Sequence, residues 1–231
     1  MTWLLTGEEF AAVKLSVQVA FLAMLFSAPL AITVAYILAR WRFPGHGLLN
    51  LLVHMPLILP PVVTGYLLMI MWGPSGQLGS LLLQWGVPLA YHWHGAVLAA
   101  AVMAFPLFVR AVRLSFEAID IRLEHAAATL GASPWRIWWS VTLPLALPGI
   151  WVGAILGFAK ALGEFGATIT FAGNMPGLTQ TLPSAIYSLL QTPQGEERLV
   201  ILCAVSVVIA LLALMVCEWL GRWAARRTKG L

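Results

Sequence analysis

The segment Phe43–Val109 reads FPGHGLLNLLVHMPLILPPVVTGYLLMIMWGPSGQLGSLLLQWGVPLAYHWHGAVLAAAVMAFPLFV. Its 67 residues include no Asp, Glu, Lys or Arg. A helix that crosses a bilayer needs about 20 apolar residues, so the segment is too long for one crossing, and the Gly-Pro-Ser-Gly turn at 73–76 divides it. The segment therefore predicts two membrane-spanning helices, near 48–72 and 93–112, with a short interfacial helix within 77–92.

The composition of the whole chain agrees with a membrane location. Of the 231 residues, 61% are hydrophobic and 10% are charged, and the mean hydropathy is +0.89. A soluble domain usually carries about 25% charged residues. This composition excludes a soluble globular domain, a disordered chain and a nucleic-acid-binding protein, although the net charge is +4 and the sequence pI is near 9.4.

Three further apolar stretches complete the set of spans, near residues 15–39, 145–162 and 199–217. Each is long enough to cross the hydrocarbon core as a helix. The sequence thus predicts an all-α, polytopic helical membrane protein with about five transmembrane helices. The whole chain, 1–231, is expected to form one transmembrane domain with a core at about 11–220.

The basic residues predict the orientation of these spans. If the spans alternate, ten Lys and Arg residues fall on one side and three on the other. The richer side carries Arg40, Arg42, Arg110, Arg113, Arg122, Arg136, Arg222, Arg226, Arg227 and Lys229, and the poorer side carries Lys14, Lys160 and Arg198. Basic loops stay in the cytoplasm, so we expect a periplasmic N-terminus and a cytoplasmic C-terminus.

The segment 117–144, which we call the elbow, lies between the third and fourth spans on the predicted cytoplasmic side. Leu123, Ala127 and Leu130 recur at helical spacing, and Gly131 is a residue typical of a helix C-terminus. Ser133-Pro134 then provides an N-cap and a first-turn proline for a second helix, expected to run through Trp138. Two interpretations are open: a surface on which another protein docks, or a hairpin that packs only on its own spans.

A motif in the elbow resembles the EAA loop in permease subunits of type I ABC importers. The residues that carry this resemblance are Glu124, Ala126, Ala127 and Gly131, followed after nine residues by Val141-Thr142-Leu143-Pro144. The resemblance implies the MetI-like fold and a coupling helix that docks on an ATP-binding subunit, with Glu124, Ala126, Ala127, Gly131, Leu143 and Pro144 as the coupling residues. Two positions depart from the family pattern: His125 shifts the alanine pair by one, and Val141 replaces Ile.

The chain contains no Gly-x-x-x-x-Gly-Lys-Ser/Thr phosphate-binding loop. We therefore expect no cofactor in this chain and no catalytic activity of its own. ATP and Mg would be bound by a partner subunit. A membrane enzyme is disfavoured because no nucleophile–base arrangement is recognisable, and His54, His92 and His94 do not form a metal-ligand pattern with Cys or carboxylates.

Further stretches are similar to permeases of molybdate importers in particular. They are residues 56–66, 95–107, 161–171 and 181–187. The resemblance implies a molybdate permease of the bacterial inner membrane that works by alternating access at a homodimer interface, with two ATP-binding subunits and a periplasmic molybdate-binding protein. Sulfate, thiosulfate or tungstate remain alternative substrates, and an ATP-independent channel or carrier is a further alternative.

Six residues are candidates for the translocation pathway: Pro60, Pro61, Thr64, Lys160, Glu164 and Thr168. The two prolines remove backbone donors and should kink the second span. Lys160 and Glu164 are spaced to form an i, i+4 ion pair, which would either line or close the outer mouth of a pathway or serve as a structural pair at the membrane edge. No metal ligand and no catalytic residue is predicted.

Overall fold

The computed structural model describes residues 5–192 and 195–228, and helices account for all the regular structure in those ranges. The helices are α1 (Gly7–Arg40), α2 (His46–Ile58), α3 (Pro61–Trp72), α4 (Gln77–Gln84), α5 (Trp93–Glu117), α6 (Ile121–Thr129), α7 (Pro134–Ile137), α8 (Leu143–Leu162), α9 (Gly166–Ala172), α10 (Leu182–Leu190) and α11 (Glu196–Thr228). Lys229, which contributes to the predicted orientation, lies outside the described residues.

The longest described helix, α1, packs along α5 in the centre of the bundle. It begins with a capping box, in which the Thr6 hydroxyl accepts from the Glu9 N–H and the Glu9 carboxylate accepts from the Thr6 N–H. The buried faces of both α1 and α5 are rich in alanine. In the core cluster that the two helices share, the fully buried alanines are Ala20, Ala23, Ala31 and Ala35 on α1 and Ala96, Ala100 and Ala104 on α5. Small residues let helix backbones approach closely, which is how helices associate in membranes.

The second span differs from expectation, because 48–72 is two helices rather than one. α2 and α3 meet at an angle of 115°. Leu59 takes an extended conformation, as residues before proline do, and α3 starts at Pro61, where a missing N–H is tolerated. Pro60 and Pro61 thus cause a break much sharper than the predicted kink. Within the described residues, four single helices are long and apolar enough to span a membrane, or five spans if the bent pair forms one.

The elbow also differs in one respect from the sequence prediction. Gly131 ends the first helical part at φ +84°, the left-handed conformation that favours glycine. The Ser133 hydroxyl then accepts from the Arg136 N–H at the start of the second helix. That helix does not stop at Trp138. It continues through a π-helical turn at Trp138–Thr142 into α8, so 134–162 is one helical stretch of 29 residues and the fourth span is longer than the predicted 145–162.

Short α9 lies against α3 through two glycines. A Cβ added at Gly65 would come within 2.8 Å of the Ala167 carbonyl oxygen and the Thr170 Cβ, and one added at Gly166 would come within 2.7 Å of the Pro61 Cβ. Such distances are shorter than van der Waals contact. The close approach of α3 and α9 therefore requires glycine at both positions.

We expect Gly65→Val to separate α3 from α9 and to destabilise the protein. Overpacking of a close contact costs about 1–3 kcal/mol. The matched control is Gly47→Val, because a Cβ at Gly47 on α2 would meet no atom within 4 Å. The thermal unfolding midpoint in detergent should fall for Gly65→Val and stay near the parent value for Gly47→Val. Equal midpoints for the two variants would contradict the close approach.

Candidate functional site

The elbow presents large apolar side chains to its surroundings. No residue of α6 is buried. Leu130 is 89% exposed, Trp135 is 70% exposed, and Leu123 is half exposed. Apolar side chains exposed together on a segment that connects two spans are typical of a protein-docking surface.

The coupling residues predicted from sequence divide between two faces of the elbow. Ala126 and Gly131 are exposed, and Ala127 is half-buried. Leu143 and Pro144 are half-buried and form the start of α8, directly after the π-helical turn. The alanines and the glycine therefore belong to the outward surface, whereas Leu143 and Pro144 connect the elbow to the fourth span.

Glu124 faces the bundle instead of the outward surface. Its Oε1 lies 2.9 Å from Nη2 of Arg40, the last residue of α1, and accepts a 3.0 Å hydrogen bond from the Thr142 hydroxyl. The Arg40 and Glu124 side chains are only 13% and 16% exposed. Arg40 also donates to the Ile119 carbonyl at 3.4 Å. The carboxylate thus joins α1, α6 and the π-helical turn.

An aromatic cluster lies beside this ion pair. The Trp138 ring is 4.6 Å from the Tyr36 ring and 5.7 Å from the Phe116 ring, measured between centroids. Tyr36 is one helical turn before Arg40 on α1. The C-terminal end of α1 therefore contacts the elbow through one polar and one aromatic group.

Sequence reasoning missed Arg40, Thr142 and Tyr36 as parts of this site. In the sequence analysis, Arg40 was only one of the ten basic residues that predicted the orientation. Thr142 was only the unspecified position in the motif Val141-Thr142-Leu143-Pro144. The pairing of Arg40 with Glu124 spans 84 residues, and no local pattern indicates such a distant contact. The one available signal was a basic residue at the inner end of a span together with a carboxylate on the same predicted side.

The structure brings Lys160, Glu164 and Thr168 together where α8 ends and α9 begins. Lys160 Nζ lies 2.7 Å from Glu164 Oε2, and the other carboxylate oxygen accepts from the Ala167 N–H at 3.0 Å. The Thr168 hydroxyl donates to backbone carbonyls of the same turn. The Glu164 side chain is 1% exposed and that of Lys160 is 33% exposed. The ion pair therefore also caps α9.

The other three pathway candidates lie on the neighbouring α2–α3 bend. Pro60 and Pro61 are exposed, and Thr64 is 5% exposed. Among the residues that the structure describes, the Thr64 hydroxyl has no hydrogen-bond partner. Since α3 packs on α9, all six candidates fall in one region of the fold, which we call the α3–α9 junction: residues 60–65 and 160–170.

His54 and His92, which were considered as metal ligands in the sequence, each form a local hydrogen bond with the backbone. His54 Nδ1 lies 2.8 Å from the Asn50 carbonyl oxygen. His92 Nδ1 accepts from the His94 N–H and caps α5. Burial, and secondarily the neighbouring His94, lowers the pKa of His92. Among residues 5–192 and 195–228, no three His, Cys, Asp or Glu side chains are grouped so as to hold a metal ion.

Comparison with known proteins gives close relatives over almost the whole chain. The chain is 53% identical over 225 residues to the molybdenum transport system permease protein ModB of Escherichia coli K12, covering 97% of this chain and 98% of that protein. It is 54% identical to the ModB of Haemophilus influenzae, covering 93% and 94%. It is 32% identical to the sulfate transport system permease protein CysW of Synechococcus elongatus, covering 91% and 75%.

Solved structures share the fold at low sequence identity. An inward-facing structure of the MetNI methionine ABC transporter matches with a TM-score of 0.73 at 18% identity, covering 92% of this chain and 94% of the matched chain. A bacterial ABC transporter that imports alginate matches with a TM-score of 0.71 at 19% identity, covering 96% and 80%. Residues 18–230 match the family model described as binding-protein-dependent transport system inner membrane component. The chain therefore belongs to this family of inner-membrane permease components and has its all-α, MetI-like fold.

Proposed function

We propose that this chain is the membrane-spanning subunit of an ATP-driven molybdate importer. The observation that carries this proposal is the elbow, an apolar docking surface fixed to the end of a span by a partly buried ion pair. A channel or carrier that works alone has no evident use for such a surface. Molybdate is favoured because the two relatives described above that are named for molybdenum transport are 53% and 54% identical, whereas the sulfate permease is 32% identical.

The proposed assembly has two copies of this chain, two ATP-binding subunits and a periplasmic molybdate-binding protein. ATP and Mg would be held by the ATP-binding subunits, because this chain has no phosphate-binding loop. The bias of basic residues supports a periplasmic N-terminus and an elbow in the cytoplasm. ATP-driven closure of the partner subunits would move the elbow and switch the access of the pathway from outside to inside.

The α2–α3 bend supports a pathway at a homodimer interface. Pro60 and Pro61 have no N–H, so the carbonyls of Pro56 and Leu57 lack their usual helical donors. Irregular backbone at membrane depth is tolerated only where protein covers it or where it lines a water-filled cavity. Both prolines are exposed in the single chain. A second copy, or a hydrated pathway between copies, would satisfy this requirement.

The α3–α9 junction is proposed to form the outer part of this pathway. It lies at the opposite end of α8 from the elbow, and it contains the Lys160–Glu164 ion pair and the unpartnered Thr64 hydroxyl. A transported dianion needs donors that hold it weakly enough for release. A lysine already neutralised by a buried carboxylate meets this requirement better than a free cation.

The proposed function is tested by uptake into proteoliposomes that contain the complete assembly. We expect molybdate to enter only when ATP is present, and vanadate to block uptake. Tungstate and sulfate should be tested as competitors in the same vesicles. Uptake without ATP would support the carrier alternative. If unlabelled sulfate competes more strongly than unlabelled molybdate, sulfate and not molybdate is the preferred substrate.

We expect Gly131→Val to uncouple the elbow from the ATP-binding subunit. A branched residue at φ +84° costs about 1–2 kcal/mol of backbone energy and would redirect the second helix, although no neighbouring atom would clash with its Cβ. Membrane insertion and dimer formation should stay near normal, while the ATP-binding subunit should co-purify poorly and uptake should be lost.

The matched control is Gly131→Asn, because asparagine adopts the left-handed conformation more readily than other residues. This variant should retain more of the ATP-binding subunit than Gly131→Val. Full retention together with normal uptake in Gly131→Val would show that the elbow is only a surface hairpin.

At the junction, we expect Lys160→Met to be more harmful than Lys160→Met combined with Glu164→Gln. The single change leaves a buried carboxylate without its cation, which costs about 3–5 kcal/mol when one partner of a buried pair is removed. Glu164→Gln removes that charge and keeps an oxygen to accept from the Ala167 N–H. Thermal unfolding and uptake are measured for the two single variants and for the double variant, which together form a double-mutant cycle. Strictly additive effects of the two substitutions would argue against pairing.

A further inference from the structure

The position of α6 is not fixed by apolar packing. None of its nine residues is buried. The large apolar side chains Ile121 and Leu123 are about half exposed. A helix of this length is also marginal by itself in water. Its position on the bundle must therefore depend on specific contacts with other elements.

The ion pair of Arg40 with Glu124 joins α6 to the end of α1. Exposed ion pairs contribute little, but these side chains are only 13% and 16% exposed. Glu124 Oε1 accepts from both Arg40 and Thr142, at 2.9 and 3.0 Å. If α6 moves while this contact persists, the inner end of α1 must move with it.

The other end of α1 is attached to the outer helices. The Ser16 hydroxyl oxygen accepts a 2.6 Å hydrogen bond from the Leu182 N–H at the start of α10. Glu9 forms a 3.4 Å ion pair with Arg198 near the start of α11. At a rise of about 1.5 Å per residue, Ser16 and Arg40 lie roughly 36 Å apart on one continuous helix. α1 thus has polar attachments at both ends.

We propose that Arg40 is a positioning residue that makes α1 move with the elbow, so that α1 conveys elbow displacement to α10 and α11 on the outer side. This inference rests on the proposed function. Arg40 would not contact the ATP-binding subunit or the transported anion. Its effect would pass through Glu124 and Thr142.

The test is the number of molybdate ions imported for each ATP hydrolysed in proteoliposomes with the complete assembly. A merely destabilising substitution lowers the amount of active protein and reduces import and hydrolysis together, so that the ratio stays constant. Arg40→Gln should lower the ratio at least about fivefold, the lower end of typical coupling effects. The ATP-binding subunit should still co-purify, because the outward surface of the elbow is unchanged.

Two further variants sharpen this test. Arg40→Lys keeps the positive charge and should restore part of the ratio. Thr142→Val removes one of the two donors to Glu124 while preserving shape, and should lower the ratio less than Arg40→Gln. If Arg40→Gln does not yield a folded dimer, the import-to-hydrolysis ratio of Thr142→Val is used to test the proposal. An unchanged ratio in that variant overturns it.

The matched control is Asn50→Ala. The Asn50 side-chain oxygen on α2 accepts a 2.9 Å hydrogen bond from Arg113 on α5, so this contact also joins two helices but involves neither α1 nor the elbow. Its loss should leave the ratio at the parent value. The proposal is overturned if Arg40→Gln keeps the parent ratio, or if Asn50→Ala lowers it equally. Failure of the proposed function would appear differently, as ATP-independent import or no bound ATP-binding subunit in the parent protein.

Discussion

The close packing of α1 against α5 is the contact on which the other features depend. Fully buried alanines of both helices, such as Ala31 and Ala104, belong to the same core cluster. Because lipid is as apolar as the side chains, helices in a membrane associate through close packing and polar contacts and not through a hydrophobic driving force. α1 and α5 are therefore expected to behave as one rigid unit. The groups attached to the two ends of α1 are held at a fixed separation as a result.

Both candidate regions are built on this unit. At the C-terminal end of α1, Arg40 and Tyr36 contact the elbow, and the outward face of α6 stays exposed. At the other end, α9 packs on α5 as well as on α3, through a cluster that contains Phe171 and Ala167. The α3–α9 junction and the elbow thus share a scaffold, although they lie at opposite ends of α8. This arrangement allows a displacement at the elbow to reach the junction without a large change within the core.

The sequence allowed the local features to be predicted, and it did not allow the distant contacts to be predicted. The Gly131 terminus and the Ser133-Pro134 start depend on local backbone chemistry, and the structure has both. The spacing of Lys160 and Glu164 indicated a pair, which the structure also contains. By contrast, Pro60 and Pro61 indicated a kink but not its angle of 115°, and the Arg40–Glu124 contact joins residues far apart in the chain. Neither the angle nor the distant contact is encoded in a local pattern. The second elbow helix was also predicted to end at Trp138, whereas it continues into α8.

The most direct test of this account is a pair of distance measurements in the proposed assembly of two copies of this chain with two ATP-binding subunits. One spin label at Leu130→Cys reports the separation of the two elbows, and one at Arg42→Cys reports the separation of the inner ends of the two α1 helices. Both positions are exposed, and the native Cys203 and Cys217 would first be replaced by serine. The account predicts that both distances change together when ATP is trapped in the partner subunits. A change in the elbow distance while the α1 distance stays constant would contradict it.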